Sequence, residues 1–189
     1  MADKKFKREV LEWVIIVSIG LGLYVTGLHT QVIGFVQRVV LSTGVITPDY
    51  NADSEEKASY NFELMDVNGE SFSFEQYKGK TVFINFWATW CPPCIAEMPD
   101  INDLYQEVSS DVEFVIISVD ENQEKAKRFV SNKGFDFPIY FPASQIPSNF
   151  KSNAIPTTLV ISPDGRIVSK REGMAKYNTD AFKTFLKNL

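Results

Sequence analysis

A strand that leads directly into a helix opening with two cysteines is the feature that most constrains this chain. The run TVFINFWA (81–88) predicts a buried strand, and CPPCIAEMPDINDLYQEV (91–108) predicts the helix that follows it. Two prolines fall in the first turn of that helix, where a missing N–H donor does no harm. Cys91 and Cys94 are three residues apart and are therefore predicted to share one helical face, within reach of each other.

The elements around this unit predict an α/β domain. Hairpins are indicated around residues 68–69 (Asn-Gly) and 164–165 (Asp-Gly), because these dipeptides favour tight turns between alternating runs. A second apolar strand (112–120) precedes an amphipathic helix closed by Gly134, and a last helix ends the chain. Strand–helix–strand units pair in parallel through a right-handed crossover. We therefore expect a mixed central sheet with helices on both faces.

The N-terminal forty residues differ from the rest in composition. Several cations within residues 1–9 precede WVIIVSIGLGLYVTGL (13–28), which carries no charge. Extended over 10–36, this stretch predicts one transmembrane helix, because a span needs about 20 mostly apolar residues. The cations before it, against Arg38 alone soon after it, orient residues 1–9 toward the cytoplasm. We therefore expect a protein anchored in the lipid bilayer of the cytoplasmic membrane, with its main domain in the periplasm or outside the cell.

A cleavable signal peptide is the alternative interpretation of the same segment. A charged start and an apolar middle fit both, but no small-x-small pair follows Leu28 as a cleavage site. The run VIGFVQRVVL (32–41) either continues the helix or lies along the membrane surface. Residues 37–59, polar after residue 41, are predicted to link the anchor to a domain over 60–189.

Three roles are open to the two cysteines: binding a metal, stapling the fold, or carrying electrons. A structural zinc site usually takes four Cys or His ligands, and the chain has two cysteines and one histidine, His29. A disulfide across two residues gains the least loop entropy. At a helix start, backbone N–H groups and the helix dipole stabilise a thiolate. We therefore expect no metal and no cofactor beyond a redox-active Cys91–Cys94 pair, with Cys91 as nucleophile and Cys94 as resolving thiol.

Nucleic acid is not an expected partner. The formal net charge is −5, and no cationic cluster marks the main domain. A protein that neutralises phosphates needs such a cationic face.

The stretch FWATWCPPC (86–94) resembles the active site of thioredoxin-like proteins. Together with Glu97 and NAIPTT (153–158), it most resembles the TlpA/ResA group of membrane-anchored, extracytoplasmic thiol–disulfide oxidoreductases. The resemblance covers about residues 60–189. It implies a thioredoxin-like fold and an enzyme that reduces protein disulfides, with apocytochrome c as the group's substrate class. A membrane protein that passes electrons outward from the cytoplasm is the implied electron donor.

The resemblance assigns Glu97 to acid–base chemistry with Cys94. A carboxylate near a buried thiol can take its proton and activate it. Ordinary thioredoxins carry a buried aspartate where this chain has Asn85, so Glu97 is the acid that remains. The alternative is an acidic residue placed favourably in the early turns of a helix.

The resemblance also implies substrate-binding residues. Pro156 fits the cis-proline that thioredoxin-like folds place opposite the cysteine pair, and Ile155 would offer backbone hydrogen bonds to an extended substrate segment. Trp90 would shield the site and touch substrate. A proline that merely starts an edge strand is the alternative for Pro156.

Other functions use the same residues. An oxidase or isomerase would differ in redox potential rather than in its thiols. A peroxidase on this scaffold needs a Pro-x-x-x-Thr/Ser-x-x-Cys arrangement, which the residues before Cys91 and Cys94 do not supply. A tethered binding module, with incidental redox activity, is the remaining alternative.

Overall fold

The computed structural model of the chain describes residues 2–26, 28–51 and 54–189, and describes side chains for 8–26, 33–51 and 54–189. The strands in this part are β1 (Glu63–Met65), β2 (Ser71–Ser73), β3 (Val82–Trp87), β4 (Glu113–Ser118), β5 (Ile139–Pro142), β6 (Thr157–Ile161) and β7 (Ile167–Glu172). The α-helices in this part are α1 (Ala2–Val25), α2 (Leu28–Ser42), α3 (Pro92–Val108), α4 (Gln123–Lys133) and α5 (Asp180–Lys187), with a 3-10 helix at Phe74–Tyr77.

The described strands form one mixed sheet in the order β2-β1-β5-β4-β3-β6-β7. β3 pairs in parallel with β4 and antiparallel with β6, which places Asn85 of β3 opposite Thr158 of β6. β1 pairs antiparallel with β2, and Gly69 in the turn between them has φ 87°, a conformation that glycine adopts without strain. Every residue of β3 is buried, so the strand that leads into the cysteine pair lies in the centre of the domain.

Two hydrophobic cores lie on opposite faces of the sheet. One core receives β3 side chains such as Phe83 and Trp87 and contains apolar residues of all three helices α3, α4 and α5. The other core receives Ile84 and Phe86, and it is covered by the 3-10 helix and by loop residues around 62 and 150. The expectation of helices on both faces was therefore wrong for the described α-helices of the domain. On the second face, short aromatic-rich segments cover the apolar side chains of the sheet in place of an α-helix.

Capping residues explain where the domain's helices begin and end. The Asn122 side chain accepts a hydrogen bond from Glu124 N–H at the start of α4, and Gly134 ends that helix with φ 67°. The Thr179 side chain caps α5 by accepting from Phe182 N–H. Such caps satisfy helix-end groups that have no partner within the helix.

The N-terminal segment departs from the single helix predicted over 10–36. α1 ends at Val25 and α2 begins at Leu28. The Thr26 hydroxyl donates to Gly22 O at 2.7 Å, so a side chain takes up a carbonyl at the end of α1. None of the described helices combines the length and the apolar character needed to cross a membrane.

α2 packs against α3 instead of continuing α1. Gly34 is buried at the contact, and a Cβ atom there would lie 3.3 Å from Pro92 O and 3.7 Å from Ile95 Cγ2. Leu41 is also buried. The helix therefore lies beside the first turns of the helix that carries the cysteines.

The segment predicted as a linker, 37–59, is only partly irregular. Its first residues belong to α2. Residues on both sides of 52–53 lie beside β7, where Asn51 N donates to Val168 O at 2.7 Å and Ile167 N donates to Glu56 O at 2.8 Å. The Tyr50 ring stacks on Phe185 of α5, with ring centroids 4.2 Å apart. These contacts hold residues 50–51 and 56 against the domain.

Candidate active site

The two cysteines lie in the first turn of α3, shortly after β3 ends. They form a disulfide, with their Cα atoms 5.3 Å apart. Cys91 is the N-cap residue, and its Sγ accepts a hydrogen bond from Cys94 N–H at 3.3 Å. Helix N-termini favour negative charge, so this position stabilises a thiolate on Cys91 once the disulfide is reduced.

Burial distinguishes the two sulfurs. Cys94 is 0% exposed, Cys91 is 3% exposed, and the neighbouring Trp90 is 61% exposed. A protein substrate approaching past Trp90 therefore meets Cys91 first. This supports Cys91 as the nucleophile and Cys94 as the buried thiol that resolves the mixed disulfide.

A fully buried carboxyl group, Glu97, lies three residues past Cys94 on α3. Residues at this spacing are neighbours on one helical face. Glu97 Oε1 accepts a hydrogen bond from Asn85 Nδ2 at 2.8 Å, and its Oε2 accepts from Ala175 N at 3.1 Å. The carboxyl group is therefore held between the central strand and the segment that follows β7.

Burial raises the pKa of Glu97 from 4.5 to about 8, because the charged form loses its hydration. The hydrogen bonds from Asn85 and Ala175 oppose this shift, and Asp100 adds to it by charge repulsion. An acid with a pKa near the working pH can both release and accept a proton. Near neutral pH, Glu97 in this disulfide form carries its proton.

A second loop faces the disulfide from the start of β6. The Ile155–Pro156 peptide bond is cis, and Ile155 O lies 3.6 Å from Cys91 Sγ. Backbone groups beside a reactive sulfur can pair with an extended peptide.

Asp120 fixes the loop that precedes the cysteines. This carboxylate, 8% exposed, accepts from Thr89 N at 2.9 Å and from Thr89 Oγ1 at 2.6 Å. It also accepts from Ser118 Oγ at 2.9 Å. The loop two residues before Cys91 is thereby tied to the end of β4.

An apolar cavity of about 170 Å³ lies beside Ile155. It is lined on the domain side by Phe86 and Val119, and on the loop side by Ile146 and Phe150. Such a concave apolar surface, which shares Ile155 with the site, is suited to an apolar side chain of a bound peptide.

The redoxin family matches residues 52–184, which include every residue of the site described above. The chain belongs to the redoxin family. Its thioredoxin-like mixed α/β fold is confirmed by solved structures. One of them is a thiol:disulfide interchange protein of the thioredoxin family from Chlorobium tepidum, with TM-score 0.61 and 28% identity. The match covers 72% of this chain and 99% of that chain.

Two curated relatives indicate the subgroup of redoxins to which this chain belongs. The thiol-disulfide oxidoreductase ResA of Bacillus thuringiensis is 36% identical over 116 residues, which cover 60% of this chain and 67% of the relative. The ResA of Geobacillus thermodenitrificans is 30% identical over 166 residues, which cover 87% of each chain. The predicted membership in the TlpA/ResA group is confirmed, and this redoxin is a thiol–disulfide oxidoreductase.

The redoxin fold brings together the residues that the sequence predicted for the site. Cys91, Cys94 and Glu97 share the first turns of α3, and the Ile155–Pro156 bond faces them. Trp90 lies exposed beside them. The assigned roles of these residues remain predictions. Within the described part of the chain, no three His, Cys, Asp or Glu side chains converge as a metal site.

Sequence reasoning missed several residues that this redoxin places at the site. Asp120 could have been found, because it follows a buried parallel strand at the sheet edge where the cysteines lie. Thr158 is the strand neighbour of Asn85, and Tyr177 lies buried beneath α3. Thr158 ends the NAIPTT motif, but the sequence assigned it no role there, and no local motif signals Tyr177.

Proposed function

We propose that this redoxin reduces disulfides of proteins outside the cytoplasm, using Cys91 and Cys94 as its electron carriers. One observation supports the proposal above all others: a disulfide at a helix N-terminus has a fully buried carboxyl group, Glu97, one turn behind it. The cysteines supply the electrons, and the carboxyl group handles the proton of the buried thiol.

The first step is attack of the Cys91 thiolate on a sulfur of the substrate disulfide. A bond forms between Cys91 Sγ and that sulfur, and the substrate disulfide breaks. The second substrate sulfur leaves as a thiolate and takes a proton from water. A peptide held beside Ile155 O, 3.6 Å from Cys91 Sγ, would present its sulfur to the nucleophile.

The second step releases the product. The Glu97 carboxylate takes the proton of the Cys94 thiol, and Cys94 Sγ attacks Cys91 Sγ. The Cys91–substrate bond breaks, the leaving substrate thiolate takes a proton from water, and the Cys91–Cys94 disulfide is formed. The substrate has gained two electrons and two protons, and the protein is in the disulfide form described above.

A reductant of this kind must be re-reduced by another dithiol. When the donor thiolate attacks Cys91, Cys94 leaves as a buried thiolate that needs a proton. Glu97, with its pKa raised to about 8 by burial, holds that proton at neutral pH. We propose a membrane protein as the donor and apocytochrome c as a substrate, on the resemblance to the TlpA/ResA group.

The proposed location is outside the cytoplasm, anchored through the N-terminal segment. Support comes from the cations before the uncharged run at 13–28 and from the exposed apolar side chains along α1, such as Trp13, Ile16 and Leu21. An alkaline phosphatase fusion at the C-terminus is expected to be active, since that reporter forms its disulfides only in an oxidising compartment. An inactive fusion would place the domain in the cytoplasm.

Trapping variants test the proposed chemistry. Cys94→Ser is expected to accumulate a mixed disulfide with a protein substrate such as insulin, because the attack by Cys91 remains and its resolution is lost. Cys91→Ser is expected to form none and to lose insulin reduction. Mass spectrometry of the trapped species shows which cysteine forms the mixed disulfide. A mixed disulfide formed through Cys94 would reverse the assigned roles.

A tethered binding module is the second candidate, favoured by the apolar cavity beside Ile155. The two candidates separate in the Cys91→Ser/Cys94→Ser double variant. Unchanged client binding and unchanged cellular function in that variant would favour the binding module.

A further inference from the structure

Three residues that hydrogen-bond to Glu97 or interact with it electrostatically carry a buried polar atom without a hydrogen-bond partner. Among the described residues, Asn85 Oδ1, the Tyr177 hydroxyl and Arg171 Nε are buried and make no hydrogen bond of good geometry. Leaving a buried polar group unsatisfied destabilises a fold, and each such group asks for an explanation. Tyr177 is the clearest case, because its side chain is 0% exposed and phenylalanine would fill the same space.

The Tyr177 hydroxyl lies at the end of a row of polar groups that begins at Glu97. Asn85 Nδ2 donates to Glu97 Oε1 at 2.8 Å and to Thr158 Oγ1 at 2.9 Å. The Thr158 hydroxyl lies next to the Tyr177 hydroxyl. The row therefore runs from carboxyl to amide, to hydroxyl, to hydroxyl.

Each group in the row after Glu97 can both donate and accept a hydrogen bond. With Glu97 ionised, Asn85 donates to the carboxylate and to Thr158, so the Thr158 hydroxyl must donate onward. With Glu97 protonated, the Asn85 amide can turn, so that its oxygen accepts from the carboxyl O–H and from Thr158. Thr158 is then free to accept from Tyr177.

We propose that Tyr177 is a positioning residue for the redox reaction: its hydroxyl closes the Glu97–Asn85–Thr158 row and lets the buried carboxyl group change its protonation state. The inference rests on the proposed function, since it concerns how Glu97 serves Cys94. Tyr177 acts through Thr158 and Asn85 and does not touch the reacting sulfurs.

Other charged and titratable groups bear on the same carboxyl group. Asp100, on α3, repels the charge of ionised Glu97, and Arg171, on β7, attracts it. Cys94 is bound in the disulfide and does not titrate in this form. The ring of Tyr177 is held by Phe83 and Phe182, at centroid distances of 5.3 and 5.6 Å, so loss of the hydroxyl leaves its packing in place.

The test compares Tyr177→Phe with Tyr60→Phe in the disulfide form of the full chain. Tyr60 also carries a buried hydroxyl without a partner, but its ring packs in the core on the opposite face of the sheet. The Glu97 carboxyl is titrated by infrared spectroscopy, its band being the one lost in Glu97→Gln. The pH dependence of donor-driven disulfide reduction is measured in the same variants.

Tyr177→Phe is expected to raise the pKa of Glu97 by about 0.5–1 unit, roughly three- to ten-fold less ionised carboxyl near neutral pH. When Glu97 is ionised, the Thr158 hydroxyl must donate a hydrogen bond to the Tyr177 hydroxyl. Tyr177→Phe removes that acceptor and so destabilises the ionised form. Tyr60→Phe is expected to titrate like the unsubstituted protein. An unshifted titration in Tyr177→Phe, or an equal shift in both variants, would overturn the proposal.

Thr158→Val gives a second test if Tyr177→Phe does not fold. It breaks the row one group earlier and is expected to shift the titration in the same direction. An unshifted titration in this variant would also overturn the proposal. The infrared readout does not require turnover, so it separates this inference from the proposed function. If Glu97→Gln reduced substrate at the full rate, the proposed role of Glu97 would fail while the titration shift would still be decided.

Discussion

Glu97 shows how burial changes the chemistry of one residue. Its position three residues after Cys94 is visible in the sequence, and the family resemblance points to it. The sequence does not show that the side chain is 0% exposed, or that Asn85 and Ala175 hold its two oxygens. Those contacts come from β3 and from the segment after β7, which only the fold brings together.

The raised pKa of Glu97 predicts how stability depends on pH. The folded value of about 8 lies above the ordinary value of 4.5, so the folded state holds the proton more tightly than the unfolded chain. The stability contributed by the protonated group is fully present below about pH 4.5 and is lost as the pH rises toward about 8. Ionising the buried carboxyl group then destabilises the folded state.

Glu97→Gln is therefore expected to have nearly the same free energy of unfolding as the unsubstituted protein at pH 5. At pH 9 it is expected to be the more stable of the two. The gap is expected to reach a few kcal/mol, at about 1.4 kcal/mol per unit of pKa shift. Denaturant unfolding of the disulfide form at both pH values measures it, with the exposed Glu121→Gln as control. A gap that is the same at pH 5 and pH 9 would contradict a raised pKa of Glu97 in the folded state.

Tyr177 marks the limit of sequence reasoning at this scale. No motif surrounds it, and an aromatic residue before a last helix is ordinarily a core residue. Its hydroxyl becomes notable only because Thr158, from the middle of the sheet, lies next to it. Asn85, by contrast, could be singled out from the sequence, since an amide stands where thioredoxins carry an acid.

At the scale of elements, strongly patterned segments were predicted well. β3 and β4 are apolar runs whose residues are nearly all buried, and α3 begins at its prolines as expected. The prediction failed where an element's surroundings decide its conformation. The apolar segment at 10–36 contains a break after α1, and α2 turns to pack on α3.

The packing of α2 on α3 depends on a glycine. A Cβ at Gly34 would lie 3.3 Å from the Pro92 carbonyl oxygen, so a larger side chain must push the two helices apart. Gly34→Leu is expected to detach α2, because a free helix of 15 residues is marginal in water. Its amides are then expected to exchange with solvent at least about ten-fold faster.

Gly20→Leu is the matched control, since nothing lies within 4 Å of a Cβ built at Gly20 in α1. Hydrogen exchange followed by mass spectrometry compares the two variants. Equal exchange of α2 in both variants would contradict the packing described for Gly34.

At the scale of the whole molecule, the order of elements predicted the mixed sheet but not the way each face is covered. The three α-helices of the domain contribute to one core, and the other face is closed by a 3-10 helix and by loop residues such as Phe62 and Phe150. Loops without periodicity carry no sequence signal for which face they cover. The ring centroids of Phe62 and Phe150 are 5.5 Å apart, and this packing forms only in the assembled fold.

The whole molecule also determines the direction in which electrons flow. The site accounts for disulfide exchange in either direction, because the same thiols serve a reductant and an oxidant. The proposed reductant role requires that the dithiol give up electrons readily to the disulfides of its substrates. Neither the positions of Cys91 and Cys94 nor the raised pKa of Glu97 sets that tendency alone.

The midpoint potential of the Cys91–Cys94 couple in the full chain is therefore the most direct test. It is measured by equilibration in defined thiol–disulfide buffers, with the reduced fraction counted by mass spectrometry after alkylation. For a reductant we predict a value near that of thioredoxin, about −270 mV. A value near about −120 mV, typical of proteins that introduce disulfides, would contradict it.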